Sequence, residues 1–316
     1  MLDELDEILD ERTAGSPSDR TVHWTCLSIS EITKRLCEAC TSISRPVVAR
    51  LCRERNLRKR QQVKSVTKAP SRNRDEQFDI IDRLRKRFRR TKDAVLSIDS
   101  KQKELLGNVH RPGEILADGP VDVLDHALPS YAQAEVITHG IYAPQQNVAH
   151  MNLNTSHDTG AFSCHSLGWF WKHIGRQLFS QADRILVLLD CGGSNSNKSS
   201  TFKWHLGRLS AEIGLPIQVA HYPVFCSKYN PIERRVFPWV QRAYSGQLFT
   251  ALREMVTAIE SRATTSTGLV TTAHIIQKSF TPASRKQIQH TKDPPVEYLT
   301  DLPEYNYRLT PHMHQQ

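Results

Sequence analysis

The sequence predicts an α/β protein, a mixed sheet flanked by helices and preceded by a small helical unit of helix-turn-helix type. Three observations lead there. Apolar residues recur at helical spacing up to Arg90, and β-branched residues alternate from Asp93 onward. Beyond residue 160 apolar runs at helical spacing alternate with short extended ones. The 316 residues are enough for two domains and contain no internal repeat.

Residues 1–22 are polar and read as a tail or a frayed helix. Residues 23–72 form the helix-turn-helix region and its linker. Ser28 or Ser30 can cap a helix with Ile32, Leu36 and Cys37 on one face. After a break near Thr41 to Ser44, Pro46 suits the first turn of a second helix with Val47, Val48 and Leu51 inward. That second helix and the basic run behind it suit a major groove, and Arg45, Arg50, Arg53 and Arg55 are its candidate DNA contacts. An ordinary helical hairpin with a solvated basic end has the same pattern. "QQVKSVTKAPSRNR" reads as a linker.

A core domain is expected over 73–268, with a C-terminal extension over 269–316. Its first helix spaces Phe78, Ile81, Leu84 and Phe88 inward and leaves a basic outer face. A strand then runs through Asp99, with a hairpin partner near Leu105 to Val109. Two more strands end near "MNLN", and Phe162, Leu167, Phe170 and Ile174 mark a helix. The strand 185–189, a helix over 201–213, a strand at "LPIQVAHYPVF" and two helices follow.

The 42 Lys+Arg against 33 Asp+Glu give a formal charge of +9, which suits a polyanionic partner. No window approaches the roughly 18 apolar residues of a membrane span, and the acidic N-terminus is no signal peptide, so a cytoplasmic protein without membrane partners is expected. Seven cysteines lack a framework spacing and read as reduced thiols. Cys37-x-x-Cys40 has no second ligand pair to complete a zinc site.

"LLDCGGSNSNKSS" nearly spells a phosphate-binding P-loop. Asn197 stands where the glycine before the lysine is required, so ATP binding is disfavoured. The turn reads better as a close approach for a sugar-phosphate backbone to Asp190, with Asn195 or Lys198 touching a phosphate.

Asp99 on the first strand, Asp190 at the end of a central apolar strand and Glu233 in the first turn of a helix opened by Asn230 and Pro231 form the candidate constellation. If the first and fourth strands are neighbours, all three meet. Three carboxylates at one point repel unless a divalent cation neutralises them, and an all-oxygen set suits Mg²⁺ or Mn²⁺. Two such ions perform phosphoryl transfer by activating one oxygen and stabilising the leaving one. Each acid alone also has a plain structural reading, as a turn residue or a member of a helix cap. Asp158 reads as part of a capped helix start, His221 as a packed or DNA-facing residue, and Lys101, Lys103 and Lys228 as candidate phosphate contacts.

"SIDSKQKELLGN", "SHDTGAF", "LLDCGGSNS" and "HYPVFCSKYNPIERRVF", in this order, resemble the ISAzo-thirteen family of bacterial insertion-sequence transposases, DDE enzymes with a ribonuclease H-like core. The resemblance covers roughly His23 to Gly268, and "EYNYRLTPH" also looks like the family's ending. It implies a ribonuclease H-like domain in which Asp99, Asp190 and Glu233 are the catalytic, metal-binding triad. It further implies metal-dependent strand cleavage and strand transfer on double-stranded DNA, at terminal inverted repeats and target sites, by a homo-oligomer assembled on the DNA. Cys191, Phe225-Cys226, Tyr229 and Arg234 depart from the family's usual glycine, Gly-Thr pair, tryptophan and histidine. The alternatives are therefore a decayed or domesticated DNA-binding relative, or a nuclease of the same fold without strand transfer.

Overall fold

Five apolar runs from the centre of the chain pair into one sheet. They are β3 (Ala94–Leu106), β4 (Ala134–Ala143), β5 (Val148–Asn154), β6 (Ile185–Leu189) and β7 (Ile217–His221). The computed structural model describes residues 2–16, 19–39, 42–60, 73–292 and 294–314. These fall into two units, 1–69 and 70–316.

In the first unit α1 (Leu2–Asp10) precedes a hairpin of β1 (Thr13–Ser16) and β2 (Asp19–Thr25), then α2 (Ile29–Glu38) and α3 (Arg45–Glu54). Where a tail or frayed helix is expected over 1–22, the described residues form α1 and the strands of a hairpin. The charged residues of α1 hide a helical stripe, and Leu5 and Leu9 are buried with Ile32, Leu36, Val48 and Leu51. Ser28 caps α2 in a reciprocal box with Glu31, an arrangement worth ~1 kcal/mol. Pro46 lies in the first turn of α3 as its fixed φ predicts. Cys37 is exposed rather than on the buried face. Cys40, Thr41 and most of the predicted linker, 61–72, lie outside the described residues.

In the second unit α4 (Arg74–Arg90) packs Ile81 and Phe88 on β3 and β6. Gln77 locks it to the sheet edge, donating from Nε2 to the His221 carbonyl at 2.8 Å and exchanging amide hydrogen bonds with Asn306. The sheet continues beyond the five central strands with β8 (Val270–Ile275), β9 (Glu297–Tyr298) and β10 (Asn306–Leu309), in the order β8-β5-β4-β3-β6-β7-β10-β9. β4 runs antiparallel to its neighbours β3 and β5, while β6 and β7 add parallel to β3. This is the ribonuclease H-like arrangement, and it makes the first and fourth strands neighbours.

Two expectations change here. Residues 105–109 do not turn back on β3. The strand runs on to Leu106, with a register shift between Lys101 and Glu104 that absorbs the charged stretch, and its antiparallel partner is β4. The expected C-terminal extension supplies both sheet edges, β8 pairing parallel with β5 and β10 antiparallel with β7.

One face of the sheet is covered by α5 (Gly160–Phe170) and α7 (Ser200–Ile213), which bury Leu167, Phe170, Phe202 and Leu206 against Leu96, Val187 and Val219. α5 widens into a π-helical turn over Trp171–Gly175 and ends in α6 (Arg176–Leu178). α8 (Pro231–Arg235), α9 (Phe237–Tyr244) and α10 (Leu252–Arg262) build a second core with β4 and β5, and α11 (Arg285–His290) follows β8. The helix expected from Pro231 onward breaks at Val236. The six described cysteines are free thiols. No described helix is long and apolar enough to cross a membrane.

Three histidines are sealed in this sheet. His139 lies between Ser163 and Ser166, His150 bonds Thr272 and Asn152, and His221 contacts the Asp190 carbonyl and the Tyr307 hydroxyl. Burial holds them neutral, lowering His139 to about 3 and His150 and His221 to about 4. Their imidazole resonances are expected to stay in the neutral form down to pH 5, where solvated histidines have already titrated near 6.5. An NMR titration checks this; protonation of any of the three above pH 6 would contradict the packing. Because the unfolded chain takes up these protons near pH 6.5, the histidines make the fold lose stability as pH falls from there toward 4.

Candidate active site

Asp99 stands in the middle of β3, Asp190 directly follows β6, and Glu233 is the third residue of α8. β3 and β6 are hydrogen-bonded neighbours in the centre of the sheet, and their register sets the first two acids side by side. The third arrives because the start of α8 is tied to β3. Ser97 Oγ donates to Asn230 Oδ1 at 2.5 Å and accepts from the Ile232 N–H at 3.0 Å. Asn230 Nδ2 donates to the Ile98 carbonyl at 3.0 Å and faces Asp99 Oδ2 at 3.4 Å. Asn230, expected as a helix cap, makes no side-chain cap bond and is a strand-to-helix clamp instead.

Close approach also needs space. Gly140 pairs with Asp99 across the β3–β4 ladder. A Cβ there would stand 2.6 Å from Ile232 Cδ1 and 2.9 Å from Phe237 Cε1. The missing side chain is what lets α8 lie on the strand beside Asp99.

The three carboxyls feel one another. Asp99, 8% exposed, is pushed up to about 8, first by burial and then by the charges of Asp190 and Glu233. The Ser100 N–H, at 2.8 Å, and Asn230 oppose the shift. Asp190 is raised by burial and relieved by the Gly192 N–H at 3.1 Å. Glu233 is raised by burial and by Asp190, and lowered by a hydrogen bond from Asp99 and by Lys101. In the metal-free protein the Asp99–Glu233 pair therefore retains a proton at neutral pH. Among the described residues no three His, Cys, Asp or Glu side chains are placed so as to hold a metal ion together. The donor set is nevertheless right for a hard cation: it is all oxygen, half-buried or buried, and its mutual repulsion is what such a charge relieves.

The other predicted site residues divide. Lys198 and Lys228 are exposed, as are Arg45, Arg50 and Arg53 on α3. Arg55 is not available for DNA as placed, because its guanidinium grips the Asp6 carboxylate with contacts of 2.5 and 2.9 Å. Asn195 does not reach solvent; it is 3% exposed and its Oδ1 has no hydrogen-bond partner. Lys101 is buried against Glu104 and Gln241 and is not offered to a phosphate, while Lys103 is exposed and pairs with Glu135, as Arg50 does with Glu54. His221 is a packed residue. Asp158 precedes the N-cap Thr159 of α5 and accepts a hydrogen bond from Ser100 Oγ at 3.1 Å.

The sequence reading missed Ser97, Gly140 and the clamp role of Asn230, whose partners lie more than a hundred residues away. It did register Phe225, which has a left-handed φ of 63° and is exposed. Glycine adopts that conformation freely, whereas a phenylalanine is strained in it.

No curated protein matches the chain. Among solved structures it is similar to the Mos1 mariner paired-end complex with Mn, with a TM-score of 0.46 and 14% identity over 83% of this chain and 70% of that one. It is also similar to the Mos1 paired-end complex with the left transposon end, at 0.45 and 14% over the same shares. A third is the Mos1 strand transfer complex, at 0.43 and 15% over 81% of this chain and 68% of that one. A family model described as the Rhodopirellula transposase DDE domain matches residues 4–311, nearly the whole chain, and the protein thus belongs to that family of DDE transposases.

Proposed function

We propose that this transposase binds the terminal inverted repeats of a mobile element in duplex DNA and cuts and joins phosphodiester bonds with the triad Asp99, Asp190 and Glu233. One observation carries the reading: three carboxyls from distant parts of the chain share one site, two on the paired strands β3 and β6 and the third on a helix start tied to β3 by Ser97 and Asn230. Those three side chains would hold Mg²⁺ or Mn²⁺. Bound there, the ions would supply charge that lowers the pKa of an attacking hydroxyl and stabilises a leaving oxygen.

The remaining work belongs to the chain. Asp99 keeps its proton to about pH 8 and lends it to Glu233, so this proton must leave before a cation enters. Cation affinity is accordingly expected to rise with pH up to about 8, checked by calorimetry with Mn²⁺; a flat profile between pH 6 and 8 would oppose it. The Ser97–Asn230 clamp holds Glu233 against Asp99. Arg45, Arg50 and Arg53 on α3, with Lys198 and Lys228 beside the triad segments, supply phosphate contacts whose strength falls with salt. Homo-oligomers assembled on paired ends are the working form.

The test is a labelled duplex bearing the element's terminal repeat, incubated with Mg²⁺, Mn²⁺ or EDTA. Metal-dependent nicking followed by joining of pre-cut ends is the expected result. Binding without nicking in either metal would identify a decayed DNA-binding relative, and nicking without joining would identify a nuclease.

A further inference from the structure

A groove of about 950 Å³ opens between α5, α7 and the segment that follows β8. It lies on the outer side of the helices covering one sheet face, and nothing in the triad chemistry uses it. Trp204 and Phe280 line it, and each carries a cation. The Arg208 guanidinium stands 5.0 Å from the Trp204 ring centre, and the Lys278 ammonium 5.6 Å from that of Phe280. Lys286 adds a third exposed cation to the wall.

The wall's one acid among the described residues, Glu212, is already paired with Lys172. Arg208, Lys278 and Lys286 form no ion pair among the described residues. Two imidazoles in the wall lie close to these cations, with Glu212 partly opposing their effect on His165. His165 is lowered by burial and then by Lys278, and His205 by burial and then by Arg208 and Lys278. The groove is thus aromatic and carries an excess of positive charge.

Its position gives it a direction. Thr159, the N-cap of α5, lines it, and the adjoining Asp158 bonds Ser100 beside Asp99. Thr201, in the first turn of α7, lines it too, and α7 is the helix that follows the Asp190 turn. One end of the groove therefore lies at the helix starts that flank the carboxylates.

We infer that this groove holds a single DNA strand, with phosphates on Arg208, Lys278 and Lys286 and a base against Trp204, and leads that strand to the triad. An unpaired base can reach a recessed aromatic face, whereas a paired one cannot, and stacking of this kind is worth ~1–3 kcal/mol per base. The inference rests on the reading of the chain as a DNA-joining enzyme and names a path for one of its strands.

The test uses the full chain and an oligothymidylate carrying 4-thiothymidine, irradiated and mapped by mass spectrometry. Crosslinks are expected within 200–212 and 278–291. The double variant Arg208→Ala/Lys278→Ala, at two exposed positions and with an unchanged melting temperature, is expected to lose about tenfold of that crosslinking and to bind with a salt slope shallower by roughly 1.4. Crosslinks confined to other segments, or a double variant indistinguishable from wild type, would overturn the inference. The two readings separate through Asp190→Asn: groove crosslinks retained while cleavage is lost support both. Groove crosslinks in a wild type that cuts no DNA in any metal would remove the catalytic reading and keep the groove.

Discussion

Asp190→Asn is expected to lower DNA cleavage by about 10³-fold or more, as are Asp99→Asn and Glu233→Gln, while duplex binding stays near wild type. Each substitution keeps the side chain's shape and removes an anionic oxygen from the site. The three are not interchangeable in the metal-free protein. The Asp99 carboxyl titrates near 3.8 when unfolded and at about 8 when folded. The unfolded chain therefore releases this proton first, and the group's contribution to stability, full below about pH 4, is lost as pH rises to about 8. Wild type in EDTA should melt lower at pH 8 than Asp99→Asn does, and Mg²⁺ should raise the wild-type melting temperature more at pH 8 than at pH 5. Cleavage within about tenfold of wild type for any one variant would remove that acid from the site. A wild type and Asp99→Asn whose melting temperatures keep one constant difference from pH 5 to 8 would contradict the shared proton.

Legibility followed the range of the forces involved. The strand 185–189 and the helices 200–213 and 252–262 stood in the sequence because their periodicity is local. The placement of Asp99 on a strand, of Asp190 at a strand end and of Glu233 in the first turn of a helix could be read for the same reason. What escaped was set by distant partners. Leu5 and Leu9 in an acidic stretch became core only because Ile32, Leu36 and Val48 meet them, and the helix they anchor brings Asp6 to Arg55. β8 and β10 join the sheet through β5 and β7, more than eighty residues upstream of each. A hairpin is expected between Asp99 and Leu105, yet Lys101 satisfies its ammonium on Glu104 and Gln241 and the strand runs on. Asn195 follows two glycines in a polar turn, and nothing local says that its side chain is buried.

Asn230 joins the two themes, since its sequence context suggested a local cap and its side chain serves a long-range tie. It uses its whole amide: the oxygen accepts from Ser97 and the nitrogen donates to the Ile98 carbonyl, next to the Asp99 carboxyl. Asn230→Ala leaves buried groups on β3 unpaired, at a cost of ~1–3 kcal/mol, and frees the start of α8 from the strand. Glu233 then loses its fixed distance to Asp99, and cleavage is expected to fall by about 10²-fold with DNA binding retained. Asn230→Asp is expected to be worse than alanine although it conserves size. It replaces the N–H donors with oxygen against a backbone carbonyl and places a fourth acid beside three whose proton affinities are already raised. A purely structural role would order the two variants by their melting temperatures alone. The positioning role predicts in addition that both need more Mn²⁺ for half-maximal cleavage, and that Ser97→Ala, which removes the hydroxyl holding both Asn230 and the Ile232 N–H, shifts the metal requirement in the same direction. An unchanged metal requirement in all three variants would reduce the clamp to ordinary packing.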